Sequence, residues 1–147
     1  MLEFFGVLLM IAGFIIGLGA VTVIDMHGFL GRTSSYWTEA TIRTHKITKP
    51  LIWLGILLAI CGGVLLYWGV PLSGIPLWHM IIAFALVLNG CFLSFVVSPF
   101  LLEREKEGRA TELLPASLQT KITLSFIVSF VGWWSAVVLL VMYIFGF

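Results

Sequence analysis

Three histidines, two cysteines and one mid-span amide are the side chains of this 147-residue sequence best suited to chemistry. Neutral imidazole is a common metal ligand, and two converging histidines are enough to hold a b-type haem. His27 and His45 flank one polar segment, with Asp25, Glu39, Arg43, Lys46 and Lys49 close by in sequence. They are the candidate cofactor ligands, either for a haem b or, with Asp25, for a metal ion. The plainer interpretation makes all three histidines half-wet interfacial imidazoles. His79 begins a later apolar run on the opposite face and cannot share a ligand with the other two. Cys61 and Cys91 lie inside apolar runs, with no CxxC and no Cys-His spacing of the zinc type, so a disulfide scaffold or zinc module is excluded and both thiols are expected free. HExxH, GxSxG, P-loop and dinucleotide-binding glycine motifs are absent, as is a paired intramembrane carboxylate.

The elements that must position these groups follow from composition. Hydrophobic residues make up 61% of the chain and charged residues 10%, against roughly 45–50% and 25% for soluble domains. So small a globule cannot bury 12 Phe and 6 Trp with so little charge to cover its surface. The solvent is lipid. A net charge of +1 gives neither the basic surface of a nucleic-acid binder nor an acidic tail. Crossing about 30 Å of hydrocarbon takes about 20 apolar residues, and four runs qualify: 4–24, 51–70, 78–102 and 122–145. The first lacks a basic n-region and a small-x-small cleavage site, so it reads as a retained helix and not a secretory signal.

All eight basic residues fall in the first and third connections: Arg32, Arg43, Lys46 and Lys49, then Arg104, Lys106, Arg109 and Lys121. The positive-inside rule then puts both termini on the non-cytoplasmic side of a cell (inner) membrane. In the first connection a Ser can cap a short interfacial helix ending near Ile47, where Arg43, Lys46 and Lys49 meet anionic headgroups; Pro50 suits the first turn of span two. Pro99 should bend span three near its inner end, Gly108 should stop its extension into water, and Pro115 should restart helix. The expected fold is all-α: one domain over residues 1–147, a polytopic bundle of four transmembrane helices with that interfacial helix.

Lipid does not press helices together, so small side chains and buried hydrogen bonds must. Each run carries a stripe of them: Gly6, Gly13, Gly17 and Ala20; Gly55, Ala59 and Gly63; Ala83, Gly90, Ser94 and Ser98; Ser125, Ser129, Gly132 and Ala136. Asn89 and Trp133 both lie about 18 Å along their spans at 1.5 Å per residue. With Ser129, Cys61 and Cys91 near the same depth, they form a candidate buried polar cluster, in which Asn89 must find a partner such as an indole or a hydroxyl.

Four segments carry a family likeness: Arg43-Thr-His-Lys-Ile-Thr-Lys-Pro-Leu-Ile-Trp-Leu-Gly, Leu88-Asn-Gly, Val97-Ser-Pro-Phe-Leu-Leu and Val131-Gly-Trp-Trp. In these the chain resembles small uncharacterised bacterial four-helix integral membrane proteins and, distantly, the copper-resistance D and membrane protoporphyrinogen oxidase group. The resemblance implies a b-haem or copper-linked role. This chain departs from the group in placing His27 at the end of span one, not within it.

Three functions follow as expectations. The first is a non-enzymatic accessory or structural membrane component, partnered by the bilayer and by a second copy or a larger membrane complex. The second is a haem- or metal-binding redox protein using His27 and His45. The third is a transporter or channel component centred on Asn89, Cys61 and Trp133, the weakest because no pair of broken helices occupies matching positions.

Overall fold

A computed structural model describes residues 1–146. Among them there is helix and no strand, and four helical runs are long and apolar enough to cross a membrane. The elements are α1 (Leu2–Leu30), α2 (Ser35–Leu66), α3 (Ile75–Phe92), a π-helical segment (Leu93–Val97), α4 (Ser98–Lys106) and α5 (Ala116–Phe145). The third span is the continuous run of α3, the π segment and α4. Each expected apolar run lies on one of these helices, except that the second ends at Leu66 and Tyr67–Val70 already turn.

The amphipathic stretch after Ser34 is helical, but it is not a separate element. It runs without a break into the second span, with Pro50 inside α2 and not at its start. Local chemistry argues for a break at Pro50, which lacks an N–H and crowds the preceding turn; tertiary burial overrides it. Thr38 and Ile42 are 2% and 1% exposed. Thr38 Oγ1 donates to the Gly31 carbonyl at 2.8 Å, and Ile42 packs with Val97 and Leu101 of the third span. The segment is held to the bundle at both sides and so stays collinear with the span that follows.

Glycine sets the α1–α2 distance. A Cβ on Gly55 would lie 2.4 Å from the Gly17 Cα, one on Gly13 would lie 2.6 Å from the Ala59 nitrogen, and one on Gly62 would lie 2.6 Å from the Met10 nitrogen. The two backbones touch along a seam that only glycine permits. The expected stripe on α2 is corrected at one position: Gly62 is in the seam, whereas a Cβ on Gly63 would meet nothing within 4 Å. Met10, Phe14, Ile56, Leu86, Trp133 and Leu140 form the main core, and Ile42, Val97 and Leu101 a second at the basic end.

The expected distortion near Pro99 takes the form of the π segment. Proline cannot donate to the carbonyl four residues back, and one turn earlier the ladder widens so that the Ser98 N–H bonds the Leu93 carbonyl. Gly108, at φ +72°, ends the water-facing extension after Lys106, and Pro115 sits directly before α5, both as expected. Arg104, 5% exposed, pins the intervening loop. It donates to the carbonyls of Glu112 at 2.9 Å and Leu113 at 3.4 Å and pairs with the Glu112 carboxylate at 3.2 Å.

Candidate functional site

At mid-span the polar groups satisfy one another. Half-buried Asn89 donates to the Ser129 hydroxyl at 2.8 Å and the Ser125 carbonyl at 3.1 Å, and the Ser125 hydroxyl donates back to Asn89 Oδ1 at 2.6 Å. The expected partner is thus a hydroxyl, not an indole. Trp133, 1% exposed, packs edge-on against Phe14 at 6.2 Å between ring centroids. Both cysteines are free. Cys91 is half-buried, but Cys61 is exposed on the outside of α2, so it does not belong to the cluster expected at that depth. This site is an interhelical clamp from α3 to α5. Asn89→Leu should cost about 0.6 kcal/mol, the average measured coupling of such bonds in a bilayer protein. Reversible unfolding in micelles reads it, and a loss of several kcal/mol would show that the amide does more than clamp.

His79 is corrected from a half-wet interfacial imidazole to a buried one, 8% exposed. Its Nε2 lies 2.9 Å from the Ala136 carbonyl and its Nδ1 2.6 Å from the Tyr67 hydroxyl. A carbonyl only accepts, so Nε2 carries the proton and donates; for a neutral ring, Nδ1 then accepts from Tyr67. That ties α2, α3 and α5 together at the end remote from the basic residues. No local pattern signals it, since Tyr67 and Ala136 are far from His79 in sequence.

At the basic end the two candidate ligands turn different ways. His27 Nδ1 is 3.1 Å from the Thr44 hydroxyl, and its ring lies 5.1 Å from that of Trp37. His45, one residue beyond Thr44, projects about 100° further round the helix. It lines a cavity of about 100 Å³ that His27 does not line. Among the described residues no group of three or more His, Cys, Asp or Glu is placed to hold a metal ion. His27 and His45 do not line one cavity, so they do not converge there on a single haem.

What the cavity does bring together is Asp25, His45 and Lys49 under mostly apolar walls that include Ile52, Trp53 and Leu93. Four spans contribute, and the π segment presents Ser94 to it. Trp53 Nε1 donates to the Ser94 hydroxyl at 3.0 Å. The Lys49 ammonium reaches the Ser94 carbonyl and the Ser98 hydroxyl only at 3.4 Å each. Asp25 Oδ2 and His45 Nε2 are buried and have no hydrogen-bond partner.

Elsewhere on this face Arg43 pairs with Glu39, Lys46 with Glu105 at 2.7 Å, and Arg109 with Glu107. The Glu107 hydrogen bond holds the exposed Arg109 guanidinium above its ordinary range. Asp25 and both histidines are close in sequence; the fold keeps Asp25 with His45, adds Lys49 and leaves His27 outside the cavity. No protein-family model, curated protein or solved structure matches this chain.

Proposed function

We propose that this chain is a non-catalytic multi-pass membrane protein that binds a small polar group in the cavity at its basic end. One observation carries the reading. Among the described residues three buried polar side-chain atoms lack a partner, and two of them, Asp25 Oδ2 and His45 Nε2, belong to residues lining this one cavity. An unpaired buried polar atom costs about 1–3 kcal/mol, more when charged, so two on one cavity are best explained by an occupant that pairs them. Few polar groups on largely apolar walls is also the usual make-up of a ligand site. The fixed mid-span clamps favour binding over transport. The accessory role expected from the sequence fits a binding component of this kind.

The test is ligand retention. Protein extracted gently from its native membrane and weighed intact should carry a bound small molecule, and Asp25→Asn with His45→Leu should release it while leaving the helical spectrum unchanged. Wild type and variant each at their own sequence mass, with no adduct on either, would contradict the reading.

The proposed orientation places the cavity at the cytoplasmic face of a bacterial inner membrane. Its support is that the Lys46–Glu105 pair joins the first and third basic segments at one end of the bundle, and cationic ends face the cytoplasm. A reporter fused after the C-terminus should be active only if it works outside the cytoplasm; cytoplasmic activity would reverse the orientation.

A further inference from the structure

The cavity sorts its chemistry by depth. α2 descends from Thr38 at the water-facing end towards Trp53, so His45 comes first, Lys49 follows one turn or about 6 Å deeper, and Ile52 and Trp53 follow that. On the antiparallel α1, Asp25 lies within about a turn of the His45 level, as the Thr38–Gly31 and His27–Thr44 contacts fix the register. Below Arg32 at the outer rim, the wall thus runs from the Asp25 and His45 acceptors, through the Lys49 cation, to apolar side chains.

The charges point the same way. Neither Lys49 nor Arg32, which also lines the cavity, has a carboxylate within ion-pair reach among the described residues, and neither does Asp25 have a cation. A site with an unpaired anion at one level and unpaired cations beside it is complementary to a zwitterion. A bare cation would face Lys49, and a bare anion would face Asp25.

On the proposed binding function of this cavity, we infer that its ligand is the headgroup of a zwitterionic phospholipid with a primary ammonium. The ammonium donates to Asp25 Oδ2 and His45 Nε2, the phosphate accepts from Lys49, and the glycerol end leads towards Ile52, Trp53 and Leu93. His45 accepts only as a neutral ring protonated on Nδ1. Lys49, held by two long contacts, has donor capacity left for a phosphate oxygen. Basic pockets between spans on the cytoplasmic side bind the phosphates of anionic headgroups, and Lys49 offers the same contact to the phosphate here. The carboxylate is what adds selectivity here, because it pairs with an N–H that a trimethylated ammonium lacks.

The experiment compares phosphatidylethanolamine with phosphatidylcholine of the same acyl chains. Wild-type protein is reconstituted in nanodiscs of each, and intact-mass retention and thermal midpoint are read in both. Retention should favour the ethanolamine lipid by about tenfold, the usual worth of a charge-assisted hydrogen bond. Asp25→Asn should erase that preference, and Lys49→Gln should weaken both lipids alike. Free phosphoethanolamine added to solution should compete poorly; efficient competition would reassign the site to a soluble headgroup and overturn the lipid assignment. Equal retention of the two lipids by wild type, which needs no variant to fold, overturns the inference outright. If a different small molecule is retained, the inference fails and the binding function stands. If nothing is retained in any membrane, both fail.

Discussion

Gly55→Ala should destabilise the bundle by about 3 kcal/mol or prevent its assembly, whereas Gly63→Ala, two turns along the same helix, should be neutral or slightly stabilising. Alanine favours a helix over glycine by about 1 kcal/mol, so propensity alone predicts stabilisation at both positions. The sign at Gly55 is decided by space. Its new Cβ would sit 2.4 Å from the Gly17 Cα and 2.8 Å from the Gly13 carbonyl, both backbone atoms that cannot rotate away. Relief requires α1 and α2 to separate along the whole seam, and overpacking costs typically 1–3 kcal/mol, occasionally more. At Gly63 the new methyl meets nothing within 4 Å. Unfolding of both variants in the same micelle checks the contrast, and equal behaviour would mean that the helices are not in backbone contact.

Trp133→Ala should cost about 3 kcal/mol. Phe or Trp to Ala in a soluble core costs about 3–5 kcal/mol, but lipid is as apolar as the core, so the transfer part shrinks and the lost packing remains. Trp133 is 1% exposed and fills the space beside Gly17, where a Cβ would come within 2.3 Å of its ring. Gly17→Ala should therefore be destabilising on its own and much less so in a Trp133→Phe background. That non-additivity is the signature of direct contact; strict additivity would place the ring elsewhere.

The four spans were legible in the sequence because length and apolarity are imposed by the bilayer itself, and their pairing of ends because every basic residue lies in two connections. Gly108, Pro115 and the distortion before Pro99 were legible because backbone chemistry is local. The continuity of α2 was not, since Pro50 argues for a break and the burial of Thr38 and Ile42 that overrides it comes from α1 and the third span. Adjacent glycines at 62 and 63 gave no means of choosing helical phase, and the exposed place of Cys61, next to Gly62 and about 100° away, is the same ambiguity. Asn89 had to be paired, and is. The burial of His79 was hidden because its partners are Tyr67, just past the end of α2, and a main-chain carbonyl on α5. At the candidate site the sequence supplied Asp25 and His45 but not their shared cavity, because which of Thr44 or His45 meets His27 depends on the rotation of α2.

The central claim is that Asp25 and His45 are partners for a bound group and not for each other or for Lys49. An experimental map of the protein in native lipid, sharp enough to place side chains, tests it most directly. Non-protein density should lie within hydrogen-bonding distance, about 3 Å, of both Asp25 Oδ2 and His45 Nε2 and continue past Lys49 towards Trp53. A collapsed cavity in which Asp25 forms a direct ion pair with Lys49, with no such density, would contradict it.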